Sequence, residues 1–280
     1  MLPDSTSLGV VSLRVSDVAR TVLWYQQVVG VTVLAAAEGR ATLGTAAGRV
    51  LLELREVPGA HAMPQQGRLG LYHHALLLPS RADLGAFLKH LESIGEPFGA
   101  SDHRFSEAIY LVDPDGITLE VYADRPREEW VWIDGRVDGA TEPLDARAVR
   151  AAAGGTWQGL PAGTVVGHLH FFTGDLSAAE HFYVQGLGFG VATDRFPGAL
   201  FVSAGRYHHH VGLNVWAARQ PVAGPQDAGL DRWELVVEAA RERDAVRDRL
   251  QALGIAVTSD TAGHEAVDPW GLRVRVLARS

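Results

Sequence analysis

Short apolar runs alternate along the chain with stretches whose apolar residues recur every three or four positions, and this alternation is itself repeated. Around Leu13–Gly30 the sequence reads LRVSDVARTVLWYQQVVG, and around Phe171–Gly188 it reads FFTGDLSAAEHFYVQGLG. Asp17, Tyr25 and Gly30 fall on Asp175, Tyr183 and Gly188 at a constant offset of 158 residues. Each stretch predicts a strand, an Asp capping a helix N-terminus, and an amphipathic helix stopped by Gly. A second pair follows: His73–Gly95 matches Arg232–Gly254 at an offset of 159. Further on, Asp113-Pro-Asp-Gly116 matches Asp268-Pro-Trp-Gly271, tetrads typical of tight turns between antiparallel strands.

Four units result, near residues 8–55, 70–124, 165–217 and 230–278, each predicted as strand–helix–strand–strand–strand. Along the chain they form a first pair within 1–124 and a second within 165–280, separated by a connector over 125–164. The fold class is therefore α+β, built from four βαβββ modules. One module leaves a sheet face uncovered, so modules must pair around a core or a cavity. The connector is rich in charge, Gly and Pro and carries Trp130 and Trp132. It is either a strap packed over the surface or a lid over a pocket.

Composition narrows the chemistry. A net charge of −8 over 280 residues argues against a nucleic-acid-binding face. No apolar run approaches the roughly 20 residues of a membrane span, and the opening Met-Leu-Pro-Asp-Ser lacks the features of a secretion signal. There is no cysteine, which excludes disulfides, thiolate metal sites and cysteine nucleophiles, and is what a cytoplasmic protein would show. Twelve histidines remain, so a transition metal would be held by imidazole and carboxylate.

The repeated βαβββ units, the Asp-x6-(Trp/Phe)-Tyr helix and the DPxG turn resemble the vicinal oxygen chelate superfamily, which includes glyoxalase I, antibiotic-resistance proteins and extradiol dioxygenases. The resemblance covers nearly the whole chain, and four modules make it most similar to the catechol 2,3-dioxygenases. It implies that the four modules form two incomplete mixed β-barrels or sheets flanked by helices, with metal ligands on the first strand of each paired module and on the last strand of one. The first-strand positions are Val10, His73, His168 and Arg232, and the last-strand positions of units 2 and 4 are Glu120 and Arg275. Valine and guanidinium groups do not bind divalent cations. The implied ligands are thus His73, His168 and Glu120, a set that suits Fe(II), with Mn(II) as the alternative. It requires unit 2 to face unit 3, either within one chain with unit 1 against unit 4, or between chains. His74 is the rival to His73, because a one-residue slip turns a strand side chain to the other face.

The resemblance also assigns roles around the metal. Arg206–Asn214, RYHHHVGLN, places the family's acid–base histidine on His209, while strand alternation would turn His208 and His210 to the opposite face. Tyr110, ten residues before Glu120, falls on a substrate-contacting tyrosine, and His103 on a second pocket histidine. His170, near His168, and Tyr207 and His210, flanking His209, complete the candidate substrate contacts. The implied function is extradiol cleavage of catechol or a substituted catechol by O2, with no nucleic-acid or membrane partner and with homo-oligomers left open. A glyoxalase-type metal-dependent isomerase or transferase, and a non-catalytic binder of small aromatic compounds, are the alternatives.

Overall fold

The computed structural model describes residues 1–279. The first unit forms β1 (Ser7–Val15), α1 (Val18–Trp24), β2 (Thr32–Ala37), β3 (Arg40–Gly44) and β4 (Val50–Glu56). The second forms β5 (Gly70–Leu77), α2 (Arg81–Ile94), β6 (Gly99–Asp102), β7 (Ser106–Val112) and β8 (Thr118–Asp124). The connector holds the two-residue strands β9 (Trp132–Ile133), β10 (Arg136–Val137) and β11 (Glu142–Pro143), then α3 (Ala146–Ala151). The third unit forms β12 (Val165–Phe172), α4 (Leu176–Glu180), β13 (Gly190–Thr193), β14 (Ala199–Ser203) and β15 (Val211–Asn214). The fourth forms β16 (Gly229–Val237), α5 (Ala240–Ala252), β17 (Val257–Ser259), β18 (Gly263–Val267) and β19 (Arg273–Ala278).

Local chemistry explains the module ends. Asp17 caps α1 by accepting from Arg20 N at 2.9 Å, and Asp175 caps α4 by accepting from Ala178 N at 2.7 Å. Both helices then widen into π-helical turns, at Tyr25–Val29 and His181–Gly186, where one continuous amphipathic helix is predicted. Gly30 and Gly188, with φ of 78° and 93°, occupy the left-handed conformation that ends each helical segment.

The two DPxG turns are nearly superposable in their bonding. Asp113 Oδ1 accepts from Asp115 N and Ile117 N, both at 2.8 Å, and Asp268 Oδ1 accepts from Trp270 N and Leu272 N at 2.9 and 2.8 Å. They differ at the second oxygen. Asp268 Oδ2 accepts from the Tyr183 hydroxyl at 2.9 Å, whereas Asp113 Oδ2 is buried without a partner. Burial accordingly pushes Asp113 up to about 7, against the pull of its backbone N–H groups. A folded-state value above the ordinary 3.8 means that the fold prefers the protonated acid. Stability is then lost as pH rises from the unfolded value through the folded one, and the penalty is complete above it. Asp113→Asn keeps the Oδ1 acceptor and removes the charge. The drop in Tm between about pH 5 and pH 8 should shrink in this variant relative to the parent. Parallel pH profiles would show that Asp113 carries no such penalty.

Sheet pairing decides the architecture. Among the described residues one large sheet runs β17-β18-β19-β16-β1-β4-β3-β2, a second runs β11-β6-β7-β8-β5-β12-β15-β14-β13, and β9 and β10 pair as a separate two-stranded ribbon. The outer modules share the first sheet through antiparallel β1 and β16, and the middle modules share the second through antiparallel β5 and β12. The sheets thus cut across the halves 1–124 and 165–280, neither of which closes around a sheet of its own. Leu13, Leu52, Trp233 and Leu235 of the first sheet join Leu76, Leu119, Leu169 and Phe171 of the second in one continuous buried cluster. Each such side chain contributes about 1.5–3 kcal/mol when fully buried, so this shared core holds the two sheets together.

Candidate metal centre

Sheet pairing brings the middle-module ligand candidates together. His73 on β5 lies opposite His170 on β12, His168 opposite Ala75, and Glu120 on β8 beside Ala75. Two irregularities bracket this register: the ladder between β12 and β5 skips Gly167 and then Tyr72. Such bulges re-aim side chains. Through them both Tyr72 and His73 reach the same cavity, although adjacent residues of a regular strand face opposite sides. Gly167 is needed at its bulge because the Tyr122 hydroxyl occupies the place where a Cβ would lie.

The three donor atoms form a tight triangle. His73 Nε2 and His168 Nε2 each lie 3.1 Å from Glu120 Oε2 and 3.3 Å from one another. Ligand bonds of about 2.1 Å meeting at right angles would place neighbouring donors about 3.0 Å apart, so the triangle fits one octahedral face around a cation. All three residues are buried, at 4%, 2% and 2% exposure for His73, His168 and Glu120. Burial alone would raise the Glu120 carboxyl, but His168 and His73 outweigh it and hold Glu120 well below the usual carboxylate range. Burial likewise pushes His73 down, favouring the neutral imidazole that binds metals. No fourth His, Asp, Glu or Cys joins the group among the described residues. His74 faces the other side of the sheet, its Nε2 3.2 Å from the Tyr25 hydroxyl, and burial drives it down to about 3.

A second layer of side chains is ordered by hydrogen bonds that fix its tautomers. The Ala140 carbonyl, 2.7 Å from His103 Nδ1, only accepts, so His103 donates there and its Nε2 accepts from the Tyr110 hydroxyl at 2.7 Å. Burial, reinforced by the Glu120 charge, raises Tyr110 well above the ordinary phenol value and keeps it a donor. On the other side, Asp124 Oδ1 lies 2.9 Å from His208 Nε2, and His208 Nδ1 lies 2.7 Å from His209 Nδ1. A neutral His208 donating to Asp124 must accept at Nδ1, which leaves His209 donating from Nδ1 with its lone pair on Nε2. The His209 ring packs 4.3 Å from that of His168, and burial, then the neighbouring imidazoles, push it well below the ordinary histidine value.

The cavity holds about 340 Å³ and is lined by His73, Glu120, His168, His209, Tyr110, His103 and His170 from the predicted set. His170 Nε2 accepts from the Asn214 side chain at 2.9 Å. Tyr207 and His210, expected among the substrate contacts, do not line this cavity. Tyr207 packs on Trp130 behind the wall, with its hydroxyl 2.7 Å from that of Tyr122, and His210 Nδ1 accepts from Ala204 N at 3.1 Å. The physical reason is that residues 207–210 form an irregular bend, with β15 starting only at Val211, so strand alternation does not apply. The same bend brings His208 into the cavity wall beside His209, against the predicted opposite facing. Sequence reasoning also misses Tyr72, Phe201, Trp216 and Thr141, which line the cavity without any motif. The connector is a strap that also serves the site. Trp130 packs into a satellite cluster, β11 pairs with β6, Ala140 orients His103, and Thr141 reaches the cavity.

Comparison with known proteins agrees with this architecture. The family model of the Glyoxalase/Bleomycin resistance protein/Dioxygenase superfamily matches residues 7–121. A protein of Bacillus subtilis (strain 168) named catechol-2,3-dioxygenase is 38% identical over 271 residues, 95% of each chain. The chain belongs to this superfamily. Solved structures share its fold at low identity. A Bacillus subtilis subsp. subtilis str. 168 protein carrying a dioxygenase assignment superposes with a TM-score of 0.65 at 13% identity, covering 97% of this chain and 84% of that one. Glyoxalase I from Zea mays gives 0.59 at 16% identity, covering 98% and 92%.

Within this superfamily member the outer modules show what the same positions do without ligand side chains. Arg232 pairs with Glu53 at 3.4 Å, and Arg275 binds both oxygens of Asp260 at 2.8 and 2.6 Å. Glu234 accepts from Val10 N at 3.0 Å rather than pairing with either arginine. Charge pairing takes the place of a cation-binding triangle there.

Proposed function

We propose that this chain is an extradiol ring-cleaving dioxygenase that opens catechol or a substituted catechol with O2, using Fe(II) held by His73, His168 and Glu120. The observation that carries the reading is the buried three-donor triangle facing a cavity walled by aromatic rings and a proton-accepting His209. The relative named catechol-2,3-dioxygenase, matched over 95% of both chains, supports the same class. Fe(II), when bound, supplies coordination for the diol and O2 and a path for electrons between them. His209 Nε2 takes a proton from the diol and returns it as the ring opens, because its lone pair is free and its neutral form persists at working pH. Tyr110, whose hydroxyl proton goes to His103 Nε2, offers its oxygen as an acceptor to a diol hydroxyl. The aromatic walls exclude water. Both atoms of O2 enter the opened product, so no external reductant is consumed. A glyoxalase-type reaction is less well supported, because no fourth His, Asp, Glu or Cys joins the triangle among the described residues. The cysteine-free composition fits the cytoplasm as its place of action.

The test is oxygen uptake on mixing catechol and its methyl-substituted forms with protein loaded anaerobically with Fe(II), or with Mn(II) in a parallel sample. Uptake matched by ring-opened product is expected. Fully loaded protein that consumes no oxygen with any diol would overturn the reading, and metal-independent diol binding would favour a binding protein instead.

A further inference from the structure

The outer sheet holds a second cavity, charged where the metal cavity is aromatic. We infer that it is an anion site, built for a phosphate group, at the place that the repeat makes equivalent to the metal cavity. The two share no lining residue, so the inference stands apart from the dioxygenase reading.

Sheet register sets the equivalence. The ladder between β1 and β16 pairs Ser12 with Arg232 and then skips Asp231, just as the ladder between β12 and β5 pairs His170 with His73 and then skips Tyr72. The bulge again admits two successive residues, Asp231 and Arg232, to one cavity. That cavity holds about 180 Å³, and Arg40 and Thr42 of β3 with Glu53 and Arg55 of β4 line its other side.

The charges there do not cancel. Asp231 is shared among Arg14, Arg55 and Arg273, at 3.4, 3.0 and 3.0 Å. Glu53 accepts from the Ser12 hydroxyl at 2.8 Å and lies 3.4 Å from Arg232 Nη2. Arg40 is exposed and forms no ion pair among the described residues. Five guanidiniums thus meet two carboxylates, an excess of three positive charges in a chain whose net charge is −8. Farther along the same strands Arg275 is paired with Asp260 and Glu234 accepts from Val10 N; with Glu234 counted an excess of two remains. Arg232 is underused, because its Nε is buried without a partner and its contact with Glu53 is long. Burial would raise Asp231, but Arg55, Arg273 and Arg14 outweigh it and hold Asp231 below the ordinary carboxylate value, as a positive local field does. Guanidinium forks match the oxygens of a phosphate, and the Thr42 hydroxyl adds a neutral donor. A monoanion would leave part of the excess unbalanced, which favours a doubly charged group.

Calorimetric titration of the chelator-treated full chain, at about pH 8 and low salt, tests this with inorganic phosphate, glycerol 3-phosphate and acetate. Phosphate should bind at one site per chain with a Kd below about 1 mM, at least about tenfold more tightly than acetate. Arg40→Ala and Arg232→Ala should each weaken it at least about fivefold, while Glu120→Ala, which alters only the metal cavity, should bind it as the parent does. Arg40 is exposed, so Arg40→Ala reports on binding even where Arg232→Ala does not fold. Tighter binding of the ester than of the free ion assigns a phosphate ester as the occupant, and the reverse order assigns free phosphate; both uphold the site. A Kd for phosphate above about 1 mM, acetate bound as tightly, or loss of binding in Glu120→Ala would overturn the inference. Unchanged affinity in Arg40→Ala would also overturn it, marking an adventitious ion only.

Discussion

Glu120→Ala should reduce bound iron to background and lower oxygen uptake with catechol by more than about a hundredfold, the upper end of what losing even an indirect metal partner costs. Glu120 is the only anion in the triangle, and its Oε2 sits 3.1 Å from both imidazoles. Its ionised state is maintained despite near-complete burial because His168 and His73 face it. Removing it leaves two neutral nitrogens, which neither balance a divalent cation nor close one face of its coordination shell. The fold should survive, since the neighbouring Val121 and Leu119 remain in the shared core. Metal analysis of protein purified without oxygen or chelator, alongside circular dichroism, checks the outcome. Iron retained at the parent level in the variant would remove Glu120 from the site.

His209→Ala should have the second largest effect and a different signature: turnover falls by about 10²–10⁴-fold, while iron content stays at the parent level. His209 touches the His168 ring but is outside the donor triangle, so its loss removes a proton acceptor rather than a ligand. The lowered affinity of His209 for protons has a definite sign. A base whose value lies well below the ordinary 6.5 stays neutral as pH falls past that point, so the acid limb of kcat/KM, which reports the free enzyme, should lie below the ordinary histidine range. Full turnover by an iron-replete His209→Ala protein would exclude the acid–base role.

How much of this was legible in the chain differs from residue to residue. Asp17 and Asp175 announce their caps, Asp113 and Asp268 their turns, because each acts on backbone groups two to four residues away. His73 and His168 on first strands and Glu120 on a last strand are readable as ligands through the family resemblance that marks those positions, and Val10, Arg232 and Arg275 as types that bind no cation. His208 is misplaced by alternation because residues 207–210 do not continue a strand. Tyr207 and His210 are misplaced for the same reason, and Tyr72 is hidden because a bulge admits it. Ala140 acts through a carbonyl, which carries no side-chain signature at all.

By itself, then, the sequence determined the four modules, their capped helices and turns, and the chemical types available at each repeated position, since these depend on short-range periodicity and local hydrogen bonds. The tertiary structure alone decided that β5 pairs with β12 and β1 with β16, that bulges at Gly167 and Tyr72 accompany donors brought within 3.3 Å of one another, and that the connector closes one wall. Those features depend on which distant strand completes a ladder and on what fills the space beside it, as the Tyr122 hydroxyl does at Gly167. Such contacts leave no trace in the spacing of residues along a single chain.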